Sequence, residues 1–263
     1  MLTSFQRFVR LLRLRAKYPG VQYFGAPPFL RWFGLFIREA KKGFHSEAGQ
    51  DELVFTEFFQ ALTAPEFPRL FIDVGCNHPV LFSNSLFFER HAGFRVLAVD
   101  ALPEIRDLWK AARPGAEFVE CAVGEAEGEV TFEVKKGDRN DSMYSSVRGA
   151  SAKRLEGSAC EDRTVRVRRL ADILGERGIT EAGIVSMDIE GYEYQALQGI
   201  DFSRFQARVF IIENNDQLSL GNDRIRDFLI GRGYLFHSRI LNSDDIFIHP
   251  RMVSPTASGR PPA

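Results

Sequence analysis

Three apolar runs in this chain end in carboxylates, two of them with a glycine close behind. They are Phe71-Ile72-Asp73-Val74-Gly75-Cys76-Asn77-His78-Pro79, Arg95-Val96-Leu97-Ala98-Val99-Asp100 and Ile184-Val185-Ser186-Met187-Asp188-Ile189-Glu190-Gly191-Tyr192-Glu193. An acid closing a buried strand can accept hydrogen bonds from the two hydroxyls of a ribose, and a tight glycine turn lets backbone approach a ligand. The first two runs together therefore predict a site for a nucleoside-bearing cofactor. A dinucleotide is disfavoured, because Asn77 and Pro79 stand where its fingerprint carries glycine. Asn77 still permits a left-handed turn. Taken singly, each run also fits an ordinary strand-to-turn junction.

These acids must be positioned by strands that deliver them to one edge. Apolar periodicity predicts a helical segment over 46–62, strand 70–74, a helix near 82–92, strand 95–99 and a helix over 103–112. Short strands at 117–123 and 129–134 follow, split by Gly124 and Gly128, and 135–163 reads as a long polar excursion, a lid or a disordered loop. Strand 164–168, helix 170–177, strand 183–187, helix 192–198, strand 207–212, helix 222–231, strand 234–236 and a closing partner at 245–248 complete the series. In such an open α/β sheet Asp73, Gly75, Asp100 and Asp188 emerge at the same carboxyl edge. The run Val209-Phe210-Ile211-Ile212-Glu213-Asn214 brings more oxygen ligands to that edge.

With 263 residues, 44% of them hydrophobic, the chain suffices for one sizeable α/β domain and an appendage. Cys76, Cys121 and Cys160 form no close pair and leave an odd thiol, so neither a disulfide framework nor a zinc knuckle is expected. No signal-peptide pattern is visible, and the expected location is cytoplasmic. Residues 1–44 hold nine basic side chains against Glu39 alone, a net of +8 that leaves −9 for the rest of a chain of formal charge −1. The apolar residues interleaved with those bases leave two readings open: a basic helix in peripheral contact with an anionic membrane, or one packed on its own domain or a homodimer partner. Nucleic acid is not an expected partner, since no recognised binding module follows the bases. The expected organisation is a basic amphipathic appendage over 1–45, the α/β domain over 46–250 and a flexible tail over 251–263.

From about Ser46 to Asn215 the sequence resembles the FkbM-type S-adenosylmethionine-dependent methyltransferases. The matching pieces are Ser46-Glu47-Ala48-Gly49-Gln50-Asp51, Phe71 to Asn77, Ser83-Asn84 with Phe88-Glu89, Cys121-Ala122-Val123-Gly124, and Met187 to Glu193 with Leu197 and Gly199. The resemblance implies a class I methyltransferase fold, a Rossmann-like seven-stranded, mostly parallel sheet with helices on both faces. It also implies methyl transfer to a hydroxyl of a sugar, glycolipid or secondary metabolite. Pro79 stands where the family usually has glycine, and Asp100 where it usually has glutamate.

By match to the family, Asp100 would hold the ribose, Ala101 and Leu102 would flank the adenine, and Cys121 and Ala122 would close the adenine side. Gly75 and Asn77 would line the methionine part and Asp73 would meet its ammonium, with Asn84 and Asp188 in the same cofactor set. The leading candidates for the base that takes the acceptor's proton are Asp188 and Glu190, with His78 as a third. Asp188, Glu213 and Asn214 offer the oxygen ligands that a magnesium ion takes. Ser145 and Ser146, in a serine-bearing stretch like the family's, would contact a small-molecule or glycan acceptor. A degenerate scaffold that kept the fold but lost catalysis is the alternative that Pro79 raises. A nicotinamide oxidoreductase is the reading that the missing glycines disfavour.

Overall fold

A computed structural model describes residues 43–135, 145–150, 159–214, 223–240 and 243–253. Nearly all of the expected basic appendage and of the tail lies outside these residues. The elements in chain order are α1 (Gln50–Glu57), α2 (Phe59–Thr63), β1 (Leu70–Val74), α3 (Leu86–Ala92), β2 (Arg95–Asp100), α4 (Pro103–Ala112), β3 (Glu117–Glu120), β4 (Ala122–Val123), β5 (Gly128–Lys135) and β6 (Ser146–Val147). They continue with β7 (Cys160–Arg168), α5 (Leu170–Gly175), β8 (Glu181–Met187), α6 (Glu193–Gln198), β9 (Gln206–Glu213), α7 (Arg224–Ile230), β10 (Leu235–Ile240) and β11 (Asp244–Ile248).

Seven strands form one sheet in the order β10-β11-β9-β8-β1-β2-β3. β11 runs antiparallel to both its neighbours, and the remaining pairs are parallel. The order reverses between β1 and β8, so a crevice opens at the carboxyl ends of these two strands, where α/β sheets bind ligands. All five residues of β1 are buried, as expected of a strand covered on both faces. Ile72, Leu97, Val185 and Phe210 face a core closed by Leu170, Ile173, Leu197 and Leu229 from α5, α6 and α7. Phe71, Val96, Ile184 and Val209 face the opposite core, closed by Val54, Phe87, Phe88, Ile105 and Trp109. α4 shows why the helices dock: Pro103 starts it, and Ile105 and Trp109, four residues apart, bury one stripe.

Two expectations are corrected. The helix near 82–92 begins only at Leu86, because Phe82 has a left-handed φ of 59° and the Ser83 Oγ accepts the Leu86 N–H at 3.2 Å. The polar excursion over 135–163 is in part regular: β7 starts at Cys160 and pairs with β5 along its length, from Gly128↔Val167 to Lys135↔Cys160. With β4 and β6 these strands make a second sheet, ordered β4-β7-β5-β6. The chain passes from the large sheet to the small one across Cys121 alone, whose N–H donates to the Asp100 carbonyl at 2.9 Å. The small sheet thus walls the crevice beside β2.

Candidate active site

A cavity of about 690 Å³ lies over the reversal point. It is lined by Asp73, Gly75, Cys76 and Asn77 after β1, by Asp100, Ala101 and Leu102 after β2, and by Cys121, Ala122 and Val123 where the sheets meet. The far side is lined by Asp188, Glu190, Tyr192, Glu213, Ser243 and Asp244, with Glu47, Ala48 and Gln50 from the segment before α1. Phe132 and Val147 of the small sheet, with Ser145 just before β6, close the wall.

The first end is tightly specified. Gly75 has φ 74°, and a Cβ built there would lie 1.9 Å from the Asp188 carbonyl oxygen, so only glycine lets the two strand ends touch. Gly75 N–H donates to the Val99 carbonyl and Asp188 N–H to that of Val74, extending the sheet into the site. The Asp100 carboxylate accepts the Asn77 N–H at 3.0 Å on Oδ2 and the Leu102 N–H at 3.1 Å on Oδ1. Each oxygen keeps capacity for another donor, as a ribose diol requires. Burial raises Asp100 to about 6, with the N–H groups of Leu102, Asn77 and Ala101 opposing, so it is charged at neutral pH.

Deeper in the cleft, two buried acceptors lack a protein partner, Asp73 Oδ2 and Asn84 Oδ1. Asn84 Nδ2 donates to Ser186 Oγ at 2.9 Å, and Ser186 is the register partner of Asp73. An ammonium group would supply the donors that these two oxygens lack. The residues present therefore fit S-adenosylmethionine: a diol acceptor, an apolar wall of Ala101, Leu102, Ile105 and Ala122, and acceptors for a cation. Cys76 and Cys121 are buried and inert; burial pushes the Cys76 thiol well up and that of Cys121 to about 11.

The other end is an acid cluster. Asp188 is exposed within the cavity, whose walls surround its carboxylate. Burial first, then the charges of Glu213, Glu190, Asp244 and Glu193, raise its pKa well above the ordinary value. Asp244 rises to about 7 for the same leading reason, against hydrogen bonds from Ser243 and Gln50. Glu193, at the start of α6, accepts the N–H groups of Ile189 at 2.8 Å and Gly191 at 3.1 Å on one oxygen. Burial lifts it to about 8, with the Glu213 charge adding. It holds a loop in which Glu190 (φ 57°) and Gly191 (φ 98°) are both left-handed.

The expected residues divide accordingly. Asp188 and Glu190 stand in the cavity, whereas His78 does not line it: its Nδ1 accepts the Val80 and Leu81 N–H groups at 3.1 and 2.9 Å. Burial also lowers its pKa, and it caps a turn rather than facing an acceptor. Asn214 does not line the cavity. Its Nδ2 donates to Asp223 and Asp245, at 2.9 and 2.7 Å, inside a network held by Arg226 and Arg239. The acids whose oxygens converge, within 4.8 Å of one another, are Asp188, Glu193 and Glu213. Ser145 lines the cavity, while Ser146 is fully buried on β6 and does not. Sequence reasoning gave Glu193 no role, although an acid in a helix's first turn behind a tight loop is a capping signal. Ser46 and Asp51, expected only as a matched motif, tie down the segment bearing Glu47 and Gln50: Ser46 Oγ donates to Asp51 at 2.5 Å.

Among the described residues no helix is long and apolar enough to cross a membrane. Solved structures similar to this one include a TehB-like SAM-dependent methyltransferase from Corynebacterium glutamicum, 13% identical, covering 84% of this chain and 97% of its own, with TM-score 0.38. Another is an O-methyltransferase family protein from Burkholderia thailandensis, 12% identical, covering 93% of this chain and 69% of its own, with TM-score 0.33. At TM-scores below 0.5 these likenesses decide neither fold nor function. No curated protein gives a significant match. The family model described as the methyltransferase FkbM domain matches residues 73–236, from the first cavity acid to β10 and over more than half of the chain. With the observed strand order and the cofactor-shaped cleft, this match places the chain in the FkbM family of S-adenosylmethionine-dependent methyltransferases.

Proposed function

We propose that this protein methylates a hydroxyl oxygen of a sugar, glycolipid or secondary metabolite. The observation that carries the reading is the acid cluster facing the cofactor end across one cavity. Asp188 heads it with a pKa raised by burial and by neighbouring carboxylates. Such a group can take a proton from a hydroxyl, whereas an ordinary surface aspartate is too weak a base.

When bound, S-adenosylmethionine supplies an activated methyl group that needs no further electrophilic help. The protein's own work is placement and proton removal. Asp100 orients the ribose, Asp73 and Asn84 receive the ammonium, and Ala101, Leu102 and Ala122 exclude water from the adenine. Asp188 accepts the acceptor's proton, and Glu190, from the same loop, binds a neighbouring hydroxyl. Ser145 contributes a hydroxyl from just before β6.

A second reading concerns a metal. The convergence of Asp188, Glu193 and Glu213 favours a divalent ion such as Mg²⁺, which these residues would hold and which would lower the pKa of the acceptor hydroxyl. Methyl transfer from labelled S-adenosylmethionine to a panel of hydroxylated acceptors, with and without a chelator, tests both readings. Activity on hydroxyls that survives chelation supports Asp188 as the base, and activity restored only by Mg²⁺ supports the metal. Methylation confined to nitrogen or carbon acceptors would refute the proposal.

A further inference from the structure

After Gly75 the cofactor loop has no further glycine, and Pro79 stands where the resemblance expects one, yet residues 76–85 are held at many points. The holding group is Arg113, which follows α4 and is buried to 4% exposure. Its Nη1 donates to the Pro79 carbonyl at 3.3 Å, to Ser83 Oγ at 3.1 Å and to Ser85 Oγ at 3.0 Å. Its Nε donates to Glu89 at 2.6 Å. The guanidinium lies 4.1 Å from the centre of the Trp109 ring, and Trp109 Nε1 donates to the Asn77 carbonyl at 2.7 Å. One helix end thus grips the loop at residues 77, 79, 83 and 85.

Two of these contacts bear on the two unpaired acceptors of the cavity. Ser85, which accepts from Arg113 at 3.0 Å, and the Arg113 charge itself both favour the ionised form of the buried Asp73. Ser83 and Ser85 flank Asn84, whose free Oδ1 is the second orphan acceptor in the cleft. Neither Arg113 nor Trp109 lines the cavity, so neither can touch a ligand there. Burial works against a charged Asp73, and the Ser85 bond and the Arg113 charge are what oppose it.

We propose that Arg113 is a positioning residue for the amino-acid end of the cofactor: it fixes Asp73 through Ser85 and fixes Asn84 through the loop it grips, replacing with a guanidinium clamp the shape that glycine would give at Pro79. The proposal rests on the cofactor reading above. It accounts for why a proline is tolerated there: a proline contributes only its carbonyl to the clamp, and the missing N–H is not used.

The clamp acts on one end of the ligand, so the test compares ligands with and without that end. Binding of S-adenosylhomocysteine and of 5′-methylthioadenosine, which lacks the amino-acid part, is measured by calorimetry on the full chain and on Arg113→Gln, Arg113→Lys and Ser85→Ala. Arg113→Gln is expected to weaken S-adenosylhomocysteine by about tenfold or more, the scale of a lost charged hydrogen bond, and to leave 5′-methylthioadenosine within about twofold. Arg113→Lys should recover part of the loss by restoring the charge, and Ser85→Ala should show the same selective loss while keeping the other Arg113 contacts. Equal weakening of both ligands, or none in Arg113→Gln and Ser85→Ala, would overturn the proposal. If Arg113→Gln does not fold, Ser85→Ala decides alone. A wild-type chain that binds neither ligand refutes the cofactor reading, and this proposal with it.

Discussion

The Gly75 α-carbon sits so close beneath the Asp188 carbonyl that a Cβ would come within 1.9 Å of its oxygen. The ends of β1 and β8, far apart in sequence, therefore share one backbone junction, and the cofactor end and the acid cluster meet there. Gly75→Ala should cost about 2–4 kcal/mol, combining a left-handed residue with a backbone clash, and should abolish cofactor binding. Urea unfolding with calorimetry checks this; a variant within about 0.5 kcal/mol of wild type would show that the junction yields easily.

Glu193 links loop geometry to pH. Glu193→Ala leaves the Ile189 and Gly191 N–H groups without their acceptor and should destabilise the fold by about 1–3 kcal/mol. Glu193→Gln keeps an acceptor oxygen and should cost less. The folded group holds its proton to about 8, whereas the unfolded group releases it near the ordinary value of 4.5. The folded state thus binds more protons between these limits, and stability falls as pH rises across them. The drop in melting temperature from pH 5.5 to pH 8 should be smaller in Glu193→Gln than in wild type. Equal drops would mean that Glu193 does not titrate in this way.

Asp100 gives the opposite dependence, on binding. It must be ionised to accept from a diol, and it protonates near 6. Affinity for S-adenosylhomocysteine should fall about tenfold between pH 8 and pH 5, and Asp100→Asn should flatten that profile at a lower affinity. A pH-independent affinity in wild type would remove Asp100 from the cofactor contact.

In the proposed reaction Asp188 is the base. Asp188→Asn should lower kcat by about 10²–10⁴-fold, the scale of a lost general base, while cofactor affinity changes little, because the Asp188 contacts with β1 are made by its backbone. A loss of affinity without a loss of kcat would assign Asp188 to binding instead.

Much of this architecture was legible in the sequence because it is written in local terms. β1 and α4 fall on their expected residues, since a continuous apolar run and a proline-started i, i+4 stripe are short-range signals. Asp73, Asp100 and Asp188 were readable as edge residues because parallel strands deliver their ends to one rim. The second sheet was not, since β5 finds its partner β7 about thirty residues later across polar sequence, and alternation alone does not name a partner. The setting of Asn214 was hidden for a related reason: the partners of its amide nitrogen, Asp223 and Asp245, come from later in the chain. Arg113 carried no motif, and only packing shows that a helix-end arginine reaches the loop after β1.

The most direct measurement is titration calorimetry of the purified chain with S-adenosylmethionine and S-adenosylhomocysteine, repeated with Asp100→Ala. Saturable binding of both by the wild type, lost by about tenfold or more in a folded Asp100→Ala protein, is the predicted result. A folded wild-type chain that binds neither, or a variant that binds as tightly as wild type, would contradict the cofactor site described above.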